Sequence, residues 1–262
     1  MDALPADATE ATPALEMRDV TVTSVRDATQ VILEGVNWTV ARGDFWVVAG
    51  LLRSGKSDLM ALAAGITRPA RGTCKLFGKE IAAGFEQDTL RARLRIGLVF
   101  DGGQLLHHLT LAENIALPLR YHFDDGGEDI DRRIKALVEL TGLEPWAESH
   151  PADVNRNWQQ RIGLARALAL KPEVLLLDHP LSGLDPRDAA WWLEIVSGLV
   201  AGHPIVDGKP LTIVVTDDDL ILWQNRARQF ALLKDRQFIP LGPREKLTGH
   251  SEPLLQELLP RW

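Results

Sequence analysis

An α/β domain with a mostly parallel sheet, an antiparallel β portion at one edge and an inserted helical subdomain is the fold class that three patterns in the 262 residues predict. Short, continuously apolar runs rich in Val, Ile and Leu recur at 45–49, 96–100, 174–177, 211–216 and 230–233, as expected of strands covered on both faces. Helical periodicities separate most of them, and strands alternating with crossovers imply parallel pairing. Residues 101–170 instead carry helical spacing alone, for example Ile130, Ile134, Leu137 and Val138.

Taken in order, residues 1–14 are rich in Ala, Asp, Thr and Pro and are expected to form a short flexible tail. They lack the basic start and apolar stretch of a secretory signal. Residues 18–25 and 36–40 alternate β-branched with polar side chains, which suits half-buried antiparallel strands near an edge. The apolar run at 45–49 closes on Gly50, and Leu59, Leu62, Ala63 and Ile66 then recur at i, i+3, i+4 and i+7: strand, loop, helix. Residues 124–127 read as a flexible turn inside the helical insert, and Trp192, Ile195, Val196 and Leu199 mark a later helix. The domain is expected to run from 15 to 262.

Composition narrows the function classes. With 45% hydrophobic and 25% charged side chains the chain can bury a core. A net charge of -7 argues against nucleic acid as the main partner, because neutralising phosphates needs a basic face. Cys74 is the only cysteine, which excludes an internal disulfide and a cysteine-built zinc site, fits a reducing cytosolic setting, and leaves oxygen ligands for any metal. No run of about eighteen apolar residues occurs, so a membrane role needs a second protein.

The segment Gly50-Leu51-Leu52-Arg53-Ser54-Gly55-Lys56-Ser57 fits G-x-x-x-x-G-K-[ST] in the required place, after a buried strand and at the start of a helix. Gly50 and Gly55 let the backbone curl so that N–H groups and the helix N-terminus face phosphate oxygens. Lys56 adds a point charge and Ser57 a hydroxyl ligand for Mg2+. The run Val174-Leu-Leu-Leu-Asp178 supplies the complement, a strand that delivers a carboxylate at its C-terminal end, where ligands gather in parallel sheets.

These motifs resemble the nucleotide-binding subunit of ATP-binding cassette (ABC) transporters, over about residues 15–247. The likeness extends to Val31-Ile-Leu-Glu-Gly-Val-Asn37 before the loop, Pro172 to Asp178, and Ser182-Gly-Leu-Asp-Pro186 after it. The stretch from Leu105 to His122 looks like the branch that serves MCE-associated lipid transporters. The resemblance implies MgATP held by Gly50, Leu51, Leu52, Arg53, Ser54, Gly55, Lys56, Ser57 and Asp58, with Ser57, Asp178 and Asp101 toward the metal. It also implies head-to-tail dimers, with the same or a different nucleotide-binding chain, and a permease that places the chain at the cytoplasmic face of a membrane.

Four family positions are altered. Asp101 stands where a Gln ends the second core strand, and Val154-Asn155-Arg156-Asn157-Trp158 replaces the glycine-rich signature ahead of the family-like Gln160-Arg161-Ile-Gly-Leu-Ala-Arg-Ala-Leu168. His179 replaces the catalytic Glu, and Asp217 the switch His. Arg53 replaces a loop glycine, Asp58 stands where Thr or Ser is common, and the adenine-stacking aromatic is missing near Ser24. Imidazole and carboxylate have thus traded places, and neutral His179 oriented by Asp217 is a candidate water-activating pair, since an imidazole titrates near neutrality. Independent loss of both roles gives the alternative, a hydrolysis-deficient scaffold subunit. Arg156 is either a cation for a partner's γ-phosphate or an exposed side chain. Trp38, Trp46, Trp191 and Trp192 are expected to pack, Trp158 either to pack or to shield a dimer gap, and Asp218 and Asp219 to start a solvated helix.

Overall fold

The computed structural model describes residues 12–81, 87–123, 127–247 and 252–259. Most of the expected tail and residues 124–126 of the expected turn lie outside these. The chain divides into two compact units, residues 1–93 with 218–262, and residues 94–217.

The first unit opens with β1 (Leu15–Thr23), β2 (Val31–Val40), β3 (Phe45–Gly50), α1 (Lys56–Ala63), β4 (Arg71–Leu76) and β5 (Lys79–Glu80), and α2 (Gln87–Leu94) leads out of it. Strands β1 and β2 pair antiparallel, as their alternation predicts, with Val20, Val22, Leu33, Val36 and Val40 fully buried. β4 adds to the other side of β1. Ile66 falls beyond α1 and is 45% exposed, so the apolar repeat outlasts the helix there.

The second unit contains β6 (Ile96–Val99), α3 (Leu111–His122), α4 (Glu128–Thr141), α5 (Arg156–Leu168), β7 (Val174–Asp178), α6 (Pro186–Ala201) and β8 (Thr212–Asp217). Strands β6, β7 and β8 run parallel, and every residue of β7 and β8 is buried. Between β6 and β7 the described regular elements are helices. α3 begins with a capping box in which Thr110 and Glu113 satisfy each other's backbone N–H.

The chain then returns to the first unit as β9 (Gln229–Lys234), β10 (Gln237–Gly242), α7 (Arg244–Leu247) and α8 (Pro253–Leu258). β9 pairs parallel with β3 and antiparallel with β10. Trp38 packs edge-on to Trp46, 5.9 Å between ring centroids, and lies against Phe238. Trp192 is fully buried in the second unit. Among the described residues no helix is long and apolar enough to cross a membrane.

Candidate functional site

β3 ends at Gly50 and α1 starts at Lys56, so the loop predicted to bind phosphate joins a buried strand to a helix N-terminus. A Cβ on Gly50 would stand 2.5 Å from Ser54 Oγ and 2.9 Å from the Leu233 carbonyl, so only glycine lets the loop fold back this tightly. Gly55, at φ 97°, lies in the left-handed region. Arg53 occupies that region too, at φ 64°, where the family's glycine would be unstrained.

The Lys56 side chain is 2% exposed. Its Nζ donates to the carbonyls of Gly50 at 2.6 Å and Leu51 at 2.8 Å, and forms an ion pair with Asp218 Oδ1 at 2.7 Å. Ser57 is exposed at the start of the helix. The side chains of Leu51 and Leu52 stay in solvent at 54% and 78% exposure, so any contribution from them comes through backbone. Asp58 accepts the Val25 N–H at 2.8 Å, tying the 24–30 loop to α1. A loop held tight by two glycines that leave no room for a Cβ, ending at a helix N-terminus beside a buried ammonium, fits a chain of phosphates.

In the second unit Asp178 closes β7 with its side chain 4% exposed. Its Oδ1 accepts Thr216 Oγ1–H at 2.7 Å and lies 3.1 Å from His179 Nδ1. Asp178 stands opposite Thr216 in the β7–β8 register, the His179 N–H donates to the Thr216 carbonyl at 3.1 Å, and the His179 carbonyl accepts Gln160 Nε2–H at 3.1 Å. His179 and Asp217 therefore sit at the C-terminal ends of neighbouring strands, His179 at φ 49° and Asp217 with 7% exposure. For a neutral ring, donation from Nδ1–H to an ionised Asp178 puts the acceptor lone pair on Nε2.

Asp101, one residue past the Phe100 at which the expected strand ends, is ion-paired with Arg156, the first residue of α5. Gly103 follows at φ 77°, where a Cβ would stand 2.2 Å from the Gln159 carbonyl of α5, and a Cβ on Gly163 would stand 2.9 Å from the Gly103 Cα. Asn155 caps α5, its Oδ1 accepting the Trp158 N–H at 3.1 Å. Behind the cap, the Arg161 guanidinium stacks on Trp158 at 4.5 Å and Trp191 at 3.9 Å and donates to Asp188 Oδ1 at 2.7 Å. Burial pulls the Arg161 pKa below its usual value, and Asp188 opposes that shift. Trp158 and Trp191 thus pack around a cation.

Sequence reasoning missed two features. Asp218 and Asp219 start a turn rather than a helix: Asp219 Oδ1 accepts the Ile221 N–H at 2.7 Å, and Asp218 reaches Lys56. No local pattern signals that pair. Thr216 was legible in principle, because aligning the C-terminal ends of two parallel strands places it opposite Asp178.

Comparison with known proteins gives a consistent picture. Residues 33–182 match the family model described as ABC transporter. The chain is 41% identical over 250 residues to the methionine import ATP-binding protein MetN of Brucella abortus, covering 94% of this chain and 64% of that relative's length. It is 28% identical over 228 residues to a probable ribonucleotide transport ATP-binding protein of Mycobacterium bovis, covering 87% of this chain and 62% of that protein. A solved dimeric ATP-binding cassette, in a post-hydrolysis state bound to ADP and Pi, superposes with a TM-score of 0.74 at 27% identity, over 85% of this chain and 95% of that one.

Proposed function

We propose, for a chain that belongs to the ABC transporter family as an ATP-binding subunit, that it binds MgATP as one of a pair of nucleotide-binding subunits and drives a solute-importing permease. The observation that carries this reading is the Gly50–Ser57 loop, with its glycine cradle and buried Lys56 ammonium. As for the import ATP-binding relative, we place the chain against that permease, at the cytoplasmic face of the membrane. The relatives are named for methionine import and for ribonucleotide transport, which favours a small polar solute and gives the lipid-transport expectation no support. Methionine is the first cargo to test.

Lys56 and the loop amides bind and orient the phosphates, while Ser57 in the first unit and Asp178 in the second each offer an oxygen of the kind Mg2+ takes, and Mg2+ would neutralise phosphate charge. Asp101 has its Oδ1 engaged by Arg156. His179 is our candidate base, with Asp178 on its Nδ1 fixing the tautomer and Asp217 at the end of the next strand as the accompanying carboxylate.

Single-turnover MgATP hydrolysis with the permease present tests the catalytic part. His179→Ala is expected to slow turnover by about 10² to 10⁴ with nearly unchanged MgATP affinity. Absence of single-turnover hydrolysis by the wild type would overturn that assignment and leave a scaffold subunit that only binds nucleotide.

A further inference from the structure

An ammonium has three protons, and the three nearest acceptors of Lys56 Nζ are the carbonyls of Gly50 and Leu51 and the Asp218 carboxylate, with Ser54 Oγ farther off at 3.5 Å. A charge only 2% exposed is expensive to leave unpaired, so without phosphate an anionic oxygen at Nζ is favoured. Two of the three acceptors belong to the loop backbone, and removing them would rebuild the loop. The third is a side chain, 50% exposed, on the residue after the last of β8. To the ammonium, a carboxylate oxygen and a phosphate oxygen offer the same chemistry.

We propose that Asp218 is a built-in surrogate for a nucleotide phosphate: it caps Lys56 while the loop is empty and must be displaced when a polyphosphate binds. The inference rests on the nucleotide-binding reading above and adds a residue that sets affinity. Two effects of opposite sign follow. The pair stabilises the empty loop, because it neutralises a buried charge. It also weakens nucleotide binding by the ratio of capped to open loop, since only the open state is competent. A residue with a merely structural role would not tighten binding when neutralised.

Calorimetric titration of the 262-residue chain with MgATP, and separately with inorganic tripolyphosphate, tests this in the wild type, Asp218→Asn, Asp218→Glu and Asp219→Asn. Asp218→Asn is expected to bind both ligands about tenfold more tightly, the scale of one hydrogen bond between charged groups, and to melt at a lower temperature when empty. Asp218→Glu keeps the carboxylate and should stay near wild type. Asp219→Asn removes a neighbouring charge that holds the Ile221 N–H instead of Lys56, and should change affinity less than twofold. Unchanged or weaker binding by Asp218→Asn would overturn the proposal, as would equal tightening by Asp219→Asn, which would make the effect one of bulk charge. If Asp218→Asn does not fold by circular dichroism, Asp218→Ser takes its place with the same expectation. A wild type that binds no MgATP would instead overturn the functional reading itself.

Discussion

At Ser24 the chain offers a hydroxyl where the family places an aromatic ring, and none of residues 24–30 is aromatic. The loop is nonetheless anchored: the Ser24 N–H donates to the Gln30 carbonyl at 2.9 Å, and Val25 is tied to Asp58 on the phosphate-loop helix. Asp58, expected among the nucleotide contacts, has its carboxylate on that backbone N–H. Base stacking on an aromatic face is worth about 1 to 3 kcal/mol, so without it GTP should compete with ATP to within about tenfold in a displacement titration. Discrimination of a hundredfold or more would mean that another residue supplies an adenine platform. Both the loop glycines and this missing ring were legible in the sequence because each depends on one position. The left-handed Arg53 and the Lys56–Asp218 pair were not, since the first is a backbone angle and the second joins residues far apart in the chain.

Elements were legible where burial imposes a period. β3, β7 and β8 are covered on both faces, and their apolar runs mark them within a residue or two. β4 and β10 went unseen because their patterns are weak: Arg71–Leu76 opens with two exposed residues, and Gln237–Gly242 contains Pro240, which fits only an edge strand. The contact of the post-β6 loop with α5 depends on Gly103 and Gly163 approaching backbone to backbone. Gly103→Ala combines a collision with the Gln159 carbonyl and a left-handed φ. It should lower stability by about 2 kcal/mol or more in denaturant unfolding, and a neutral result would show that this loop yields. At the start of α3 the Thr110 N–H donates to Glu113 and holds its carboxyl below the usual range. A pKa depressed on folding stabilises fully above the unfolded-state value, near pH 4, and that contribution is lost as pH falls through the folded one. The melting difference between wild type and Glu113→Gln should therefore be constant from neutral pH to about pH 5 and shrink below about pH 4. A difference that grows on acidification would reverse the assignment.

On the scale of the whole molecule, three of the four altered family positions are engaged with named groups and the fourth is buried. Asp101 pairs with Arg156, Asn155 caps α5, His179 is held by Asp178, and Asp217 lies buried at the end of β8. The family and the nucleotide loop could be read from sequence because they rest on short, contiguous motifs. The replacement network could not, because its Asp101–Arg156 and Arg161–Asp188 pairs and the Arg161–Trp191 stack join separate elements. Everything said of permease, cargo and hydrolysis depends on one prior event, the capture of nucleotide phosphates by the Gly50–Ser57 loop. Isothermal titration of MgATP into the wild type and Lys56→Ala measures that event directly. Saturable one-to-one binding by the wild type that disappears in Lys56→Ala is the expected result, and equal affinity in the two proteins would contradict it.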